Sequence, residues 1–268
     1  MSRPDPAGEL TLTARWVFPV SSPPLEGGTV TVRGDRIAAV GPRGGRAADV
    51  DLGNAALIPG LVNAHTHLDL SGLRSAATPG PDFTGWLRRV VAARRARPPG
   101  QVREDVRAGL REALAFGTTL IGDIAAAEVS REELAAAPVW SVVYRELIGL
   151  PDDRAARAIE EARDWLRGHP ASEHCRAGLS PHAPYSVRAS LFAEVAQIAR
   201  AANVPVAVHI AEAAEETTLL AERAGPFVDF LAELGVWDPG GLVAGHAELL
   251  ALFRGCRTAW VHGNHLPP

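Results

Sequence analysis

Two histidines at the end of an apolar run could bind a metal ion. Residues 57–62 lead through Asn63-Ala64 to His65-Thr66-His67. Because residues two apart on a strand point to the same side, both imidazoles would face one point in space. Converging neutral imidazoles suit a first-row metal such as zinc or iron. Two solvated loop histidines are the alternative, but the buried type of the strand and the preceding Pro59-Gly60 favour a metal site.

A third histidine follows another short apolar strand. His209 closes residues 204–208, and Glu212 comes three positions later. Taken alone, His209 would be interpreted as a core histidine bonded to the backbone. Together with His65 and His67, it is predicted as the third metal ligand. Imidazole nitrogens bind zinc at about 2.0–2.1 Å, and a bound metal lowers the pKa of its water toward about 7.

Four segments of the chain resemble the amidohydrolase superfamily. In chain order they are PGLVNAHTHLDLS (59–71), GLSPHAPYS (178–186), VAVHIAE (206–212) and WVHGNHL (260–266). The likeness is to the branch of chlorohydrolases and aminohydrolases, such as guanine, adenosine-type and aminodeoxyfutalosine deaminases. It covers residues 10–268, is specific for the superfamily and leaves the substrate open.

The resemblance implies a catalytic role for Glu212. This residue matches the family glutamate that moves a proton from the metal-activated water to the leaving nitrogen. A glutamate placed at a helix N-terminus, where the helix dipole favours it, is the alternative. Glu215 and Glu216 fit that alternative better than Glu212 does.

Further site residues also follow from the resemblance. His262 matches the strand-six histidine near the attacking water or the substrate and is predicted as catalytic, with His246 as the rival. His182 matches a substrate-contacting histidine of the aminohydrolase branch. Arg145, near the end of strand three, is predicted to bind a substrate carboxylate or phosphate, or else to pair with Glu146.

The resemblance also bears on the metal. All 27 basic residues are arginine, so the carboxylated lysine that bridges two metals in several branches cannot form. One divalent ion is therefore expected, zinc first and iron as the alternative. In the family, an aspartate ending strand eight is a further ligand and base, and this sequence does not reach that position. Asp123, at the end of strand two, is predicted to be structural.

These residues can meet only in a fold that brings the carboxyl ends of several strands to the same side of the protein. From residue 57 the pattern alternates strand and helix, which is typical of a parallel α/β barrel of TIM type. The predicted strands are residues 57–64, 118–123, 139–147, 175–180, 204–210 and 257–262. The predicted helices are residues 83–97, 102–116, 154–167, 188–202 and 215–234.

The expected domains are an N-terminal β-sandwich part, 1–56, and a hydrolase barrel, 57–268. Gly34-Asp35 between two short strands predicts a hairpin in the first. In the second, about six strands are present where a TIM barrel has eight. The sequence therefore predicts a barrel truncated after strand six, as in a fragment or an incomplete gene model.

Composition excludes several classes of protein. The net charge of −4 gives no reason to expect nucleic acid or an acidic membrane surface. Signal-peptide features and long apolar runs are not evident, so a cytoplasmic protein is expected. The two cysteines match no disulfide framework. A small-molecule substrate is the expected partner, and the possibility of a homo-oligomer is left open.

The sequence therefore predicts a metal-dependent hydrolase in which activated water attacks a C–N bond, most simply to deaminate a ring amine or amidine. Hydrolytic dechlorination or cyclic amide hydrolysis at the same site is the alternative within enzymes. A truncated, non-catalytic remnant is the alternative outside them, because the strand-eight aspartate is not in the sequence.

Overall fold

The computed structural model describes residues 8–44 and 47–266. The predicted domain ranges also include residues 1–7, 45–46 and 267–268, which lie outside the described residues. The chain forms two compact units, divided between Leu61 and Val62. The domain boundary predicted after residue 56 remains a prediction. Within the described ranges, no helix combines the length and the apolar character needed to cross a membrane.

The N-terminal unit holds two small sheets. Its strands are β1 (Glu9–Thr13), β2 (Trp16–Val17), β3 (Leu25–Glu26), β4 (Thr29–Arg33), β5 (Arg36–Gly41), β6 (Val50–Asp51) and β7 (Ala56–Leu57). One sheet has the order β5-β4-β1-β6 and the other β3-β2-β7. The predicted hairpin is confirmed: Arg33 pairs with Arg36 in an antiparallel ladder, and Gly34 takes the positive φ that the tight turn needs.

The second unit is built on a six-stranded sheet of β/α type. Its strands are β8 (Leu61–Thr66), β9 (Thr118–Ala125), β10 (Trp140–Leu147), β11 (Cys175–Pro181), β12 (Val206–Ile210) and β13 (Thr258–His262). The spatial order β13-β12-β11-β10-β9-β8 follows the chain order. The pairs from β9 to β13 are parallel. The carboxyl ends of these strands therefore lie on one edge, as the predicted barrel requires.

Helices connect the strands of this unit. They are α1 (Phe83–Arg95), α2 (Gln101–Ala115), α3 (Val129–Ala135), α4 (Asp152–Gly168), α5 (Ala189–Ala202), α6 (Ala214–Glu222), α7 (Pro226–Glu233) and α8 (His246–Leu252). Two short 3₁₀ helices cover Leu68–Leu73 and Pro239–Gly241. The core lies between helices and sheet. For example, Phe192 and Val195 of α5 are fully buried, which stabilises the fold by about 1.5–3 kcal/mol for each side chain.

Two predicted elements are broken in the structure. The strand predicted over 57–64 is β7 and β8, which are separate because Pro59 has no N–H to continue a ladder. The helix predicted over 215–234 is α6 and α7. Arg223 and Gly225 between them have positive φ, which ends one helix, and Pro226 begins the next.

Candidate metal centre and active site

Three histidines meet where the ends of β8 and β12 come together. The Nε2 atom of His209 lies 3.1 Å from Nε2 of His65 and 3.3 Å from Nε2 of His67. Nitrogens bound to one tetrahedral zinc at about 2.0–2.1 Å are themselves about 3.3–3.4 Å apart. The spacing of these three imidazoles therefore fits a single metal ion.

These imidazoles are also in the protonation state that a metal needs. Burial, followed by the neighbouring His67 and His262, lowers the pKa of His65 to about 4. Burial likewise lowers the pKa of His67 and of His209. The Nδ1 of His209 lies 3.1 Å from the carbonyl of His182. Since a carbonyl only accepts, Nδ1 carries the proton, and Nε2 keeps its lone pair for a metal.

Asp123 of β9 holds the segment that carries His67 through a hydrogen bond to its backbone. Its Oδ1 accepts the N–H of Leu68 at 2.8 Å. Asp123 is fully buried, and burial raises its pKa to about 7. Its contact is with the backbone next to a predicted ligand, which agrees with the structural role expected for it.

His262 and Glu212 form a pair beside the three histidines. Nε2 of His262 lies 3.3 Å from Oε1 of Glu212. His262 also belongs, with His65 and His209, to a group whose nitrogens all lie within 4.8 Å of one another. Burial, with the charge of Glu216, raises the pKa of Glu212 to about 7. A carboxyl group of this pKa can take up and release protons near neutral pH.

His182 follows β11 on the same rim. Its Nδ1 lies 2.6 Å from Oγ of Ser186, and that hydroxyl donates to the carbonyl of Ala183 at 3.2 Å. Ser186 is therefore the acceptor, and Nδ1 of His182 carries the proton. Burial lowers the pKa of His182, so its Nε2 is a neutral acceptor.

A cavity of about 410 Å³ connects these groups. Six of the seven predicted site residues line it, namely His65, His67, His182, His209, Glu212 and His262. Its other walls are largely apolar and include Trp86 and Val90 of α1 and Phe230 of α7. The size and character are those of a small-molecule site.

Arg145 lies away from this group. Its guanidinium donates to the carbonyl of Ala126 at 2.7 Å and pairs with Glu161 at 3.2 Å. It does not line the cavity. Among the described residues its ion pair is with Glu161 and not with Glu146, as expected for adjacent strand residues that point to opposite faces. The role of Arg145 in substrate binding stays a prediction without support from this geometry.

Glu146 and Arg94 are cavity residues that the sequence did not single out. Arg94 of α1 lies 3.1 Å from Asp69 and 3.6 Å from Glu146. Both carboxylate side chains are only 4% exposed. Strand alternation could have shown that only one of residues 145 and 146 faces inward. Nothing in the sequence indicated which one, or that a helix arginine would reach both acids.

The model of the amidohydrolase family matches residues 56–268. The chain belongs to the amidohydrolase family. Members of this family usually bind a metal ion, and the converging histidines of this amidohydrolase fit that property. The fold expected from the sequence, an α/β barrel of TIM type, is confirmed, with six strands and small N-terminal sheets in the described chain.

Individual relatives come from the aminohydrolase and chlorohydrolase branch. A 5-methylthioadenosine/S-adenosylhomocysteine deaminase of Moorella thermoacetica is 30% identical over 253 residues, 86% of this amidohydrolase and 56% of the relative. A Helicobacter pylori aminofutalosine deaminase, crystallised with methylthio-coformycin, has a TM-score of 0.82 at 23% identity. The match covers 95% of this chain and 64% of that one.

A third relative was solved with zinc. The atrazine chlorohydrolase of Arthrobacter aurescens TC1 has a TM-score of 0.67 at 20% identity, and the match covers 94% of this chain and 64% of that one. This amidohydrolase thus spans about 56–64% of the length of these relatives. At such identities, the two solved structures establish the fold.

Proposed function

We propose that this amidohydrolase deaminates a ring amine or amidine by metal-dependent hydrolysis of a C–N bond. One observation carries the proposal: Nε2 of His209 lies 3.1 Å from that of His65 and 3.3 Å from that of His67, in a cavity that Glu212 also lines. The sequence relative and the structural relative with the higher TM-score of 0.82 are deaminases, whereas the chlorohydrolase has a TM-score of 0.67, and this supports deamination over dechlorination.

In this proposal His65, His67 and His209 hold one divalent ion, zinc first and iron as the alternative. When bound, the metal supplies hydroxide at neutral pH by lowering the pKa of a water molecule. The protein's contribution is to present three deprotonated nitrogens, which the lowered histidine pKa values provide.

Glu212 is the proposed acid and base. At its Oε atoms it takes the proton from the attacking water and gives it to the leaving nitrogen, which departs as ammonia. Its pKa of about 7 makes both protonation states accessible near neutral pH. His262, 3.3 Å away, holds the carboxyl group in place. His182 is proposed to contact the substrate, where its neutral Nε2 accepts a hydrogen bond.

The cavity wall is proposed to bind the ring of the substrate. Trp86 and Phe230 offer apolar faces, and a planar ring that replaces water there gains free energy from buried apolar area. Arg94 and Glu146 give the same cavity one positive and one negative group. These features favour a small polar heterocycle. A cytoplasmic location and a homo-oligomer remain predictions from the sequence.

Ammonia release tests the proposal. The chain, loaded with zinc, is incubated with a panel of amino-purines, amino-pyrimidines, their nucleosides and chlorinated triazines. Ammonia and chloride are both quantified, and a Glu212→Gln variant serves as the matched control. We expect ammonia from at least one ring amine, lost in the variant. Chloride without ammonia would favour the dechlorination alternative. If neither product forms while zinc is bound, the proposed reaction is wrong.

A further inference from the structure

The turn that carries Glu212 has an unusual backbone. Ala211 follows the last residue of β12 and has a φ of +49°, a left-handed conformation that alanine rarely adopts. Its N–H donates to Oε1 of Glu216 at 2.7 Å, and its carbonyl accepts the N–H of His265 at 3.1 Å. The conformation immediately before Glu212 is therefore held by one side-chain contact, from Glu216, and one backbone contact, from His265.

Glu216 is an unexpected partner for this turn. It is fully buried in the first turn of α6, where the sequence predicted a glutamate favoured by the helix dipole. Its Oε1 accepts both the Ala211 N–H and Nε2 of His246 at 2.8 Å. Its Oε2 is buried without a hydrogen bond in the described structure. A buried carboxylate is costly unless its hydrogen bonds compensate, so this geometry is not explained by helix capping alone.

Glu216 does not line the cavity, and neither does His246. Glu216 therefore acts on the reaction only from a distance, through Ala211 and the residue that follows it and through its charge. The negative charge of Glu216 also contributes to the raised pKa of Glu212, which places the two carboxyl groups within electrostatic reach of each other.

We propose that Glu216, held by His246, is a positioning residue that fixes the Ala211 turn and thereby aims Glu212 at His262 and the cavity. His246 begins α8, so it ties this helix to the turn through a single carboxylate oxygen. The effect on turnover rests on the proposed function, whereas the effect on the turn does not.

Amide exchange and crystallography test the geometric part. Glu216→Ala removes the acceptor, Glu216→Gln keeps one, and Glu215→Ala removes a neighbouring acid whose side chain has no hydrogen bond or ion pair in the described structure. Hydrogen exchange of the zinc-loaded chain is followed by mass spectrometry in peptides that cover residues 209–214. We expect exchange at Ala211 to rise about tenfold or more in Glu216→Ala, as for loss of a hydrogen bond to a charged group. Glu216→Gln and Glu215→Ala should stay near wild type.

The second readout is the position of Glu212. A crystal structure of Glu216→Ala should show the 3.3 Å contact between Glu212 and His262 broken, with zinc content unchanged. If Glu216→Ala does not fold, His246→Phe removes the supporting donor and should give a smaller rise in exchange. Unchanged exchange and an unmoved Glu212 in a folded variant would overturn the proposal.

Turnover then tests the consequence for catalysis. With a substrate found by ammonia release, kcat should fall about tenfold or more in Glu216→Ala with little change in KM, and Glu216→Gln should recover part of it. If Glu216→Ala shows faster exchange at Ala211 but keeps the wild-type kcat, the proposal that Glu216 positions Glu212 is wrong. A wild-type chain without turnover would contradict the proposed function, while exchange and the position of Glu212 would still decide the positioning role.

Discussion

The Nε2 atoms of His65 and His209 lie 3.1 Å apart, although 144 positions separate the residues in sequence. Each lies at the carboxyl end of a strand of one sheet, β8 and β12. The sheet therefore brings the nitrogens together, and the imidazoles need no loop to position them. Neutral nitrogens so close repel through their lone pairs unless a proton or a cation lies between them, which is the physical basis for a metal at this point.

Glu212→Gln should retain zinc and lose turnover. The amide keeps the size of the side chain but cannot carry a proton, so we expect kcat to fall by about 10²–10⁴-fold. Metal content and kcat are measured on the same preparation. Glu215→Gln is the control and should behave as wild type. A Glu212→Gln variant with more than half the wild-type kcat would remove Glu212 from the mechanism.

Arg94→Met should destabilise the fold more than Arg95→Met. Arg94 pairs with Asp69 and Glu146, whose side chains are 4% exposed. Removing it leaves two buried carboxylates without their cation, a loss of about 3–5 kcal/mol. Arg95 follows on the same helix, is exposed and has no partner in the described structure. Urea denaturation compares the two, and equal midpoints would show that the buried cluster contributes no stability.

Gly122→Ala should disturb β8, the strand that carries the predicted metal ligand His65. A Cβ at Gly122 would lie 2.4 Å from the carbonyl oxygen of Ala64, the residue before His65. Because a backbone atom cannot rotate away, β8 must shift, which we expect to cost about 1–3 kcal/mol and to weaken zinc binding. Gly168→Ala meets no atom within 4 Å and is the matched control. Zinc affinity equal to that of the control would contradict the close packing of β8 on β9.

The pH dependence of stability should reflect Asp123. Its folded pKa is about 7, against about 3.9 for an unperturbed aspartate, so the folded state binds more protons between these values. Stability therefore falls as pH rises from about 4 to 7. Asp123→Asn keeps an acceptor for Leu68 and cannot ionise. In the metal-free protein, the urea midpoint of Asp123→Asn minus that of wild type should increase from pH 5 to pH 7. A constant difference would contradict the raised pKa.

Much of the site could be predicted because strand ends are readable from sequence. The histidines that end apolar runs, such as His65 and His209, line one cavity as expected. Which side chain at the end of β10 faces the cavity could not be predicted. Arg145 and Glu146 are adjacent, and nothing in the sequence indicates which of them points inward. The contacts of Glu216 with Ala211 and His246 could not be predicted either, because they depend on how α6 and α8 pack.

Zinc content per chain, with and without His209, tests the central claim most directly. The purified 268-residue chain, saturated with zinc and desalted, is analysed by plasma mass spectrometry beside His209→Ala, His65→Ala and the control His174→Ala. The imidazole of His174 contacts the carbonyl of Ala135, away from the three histidines. The account predicts about one zinc in wild type and His174→Ala, and near zero in the other two. Equal zinc content in all four proteins would show that these histidines do not form the metal centre.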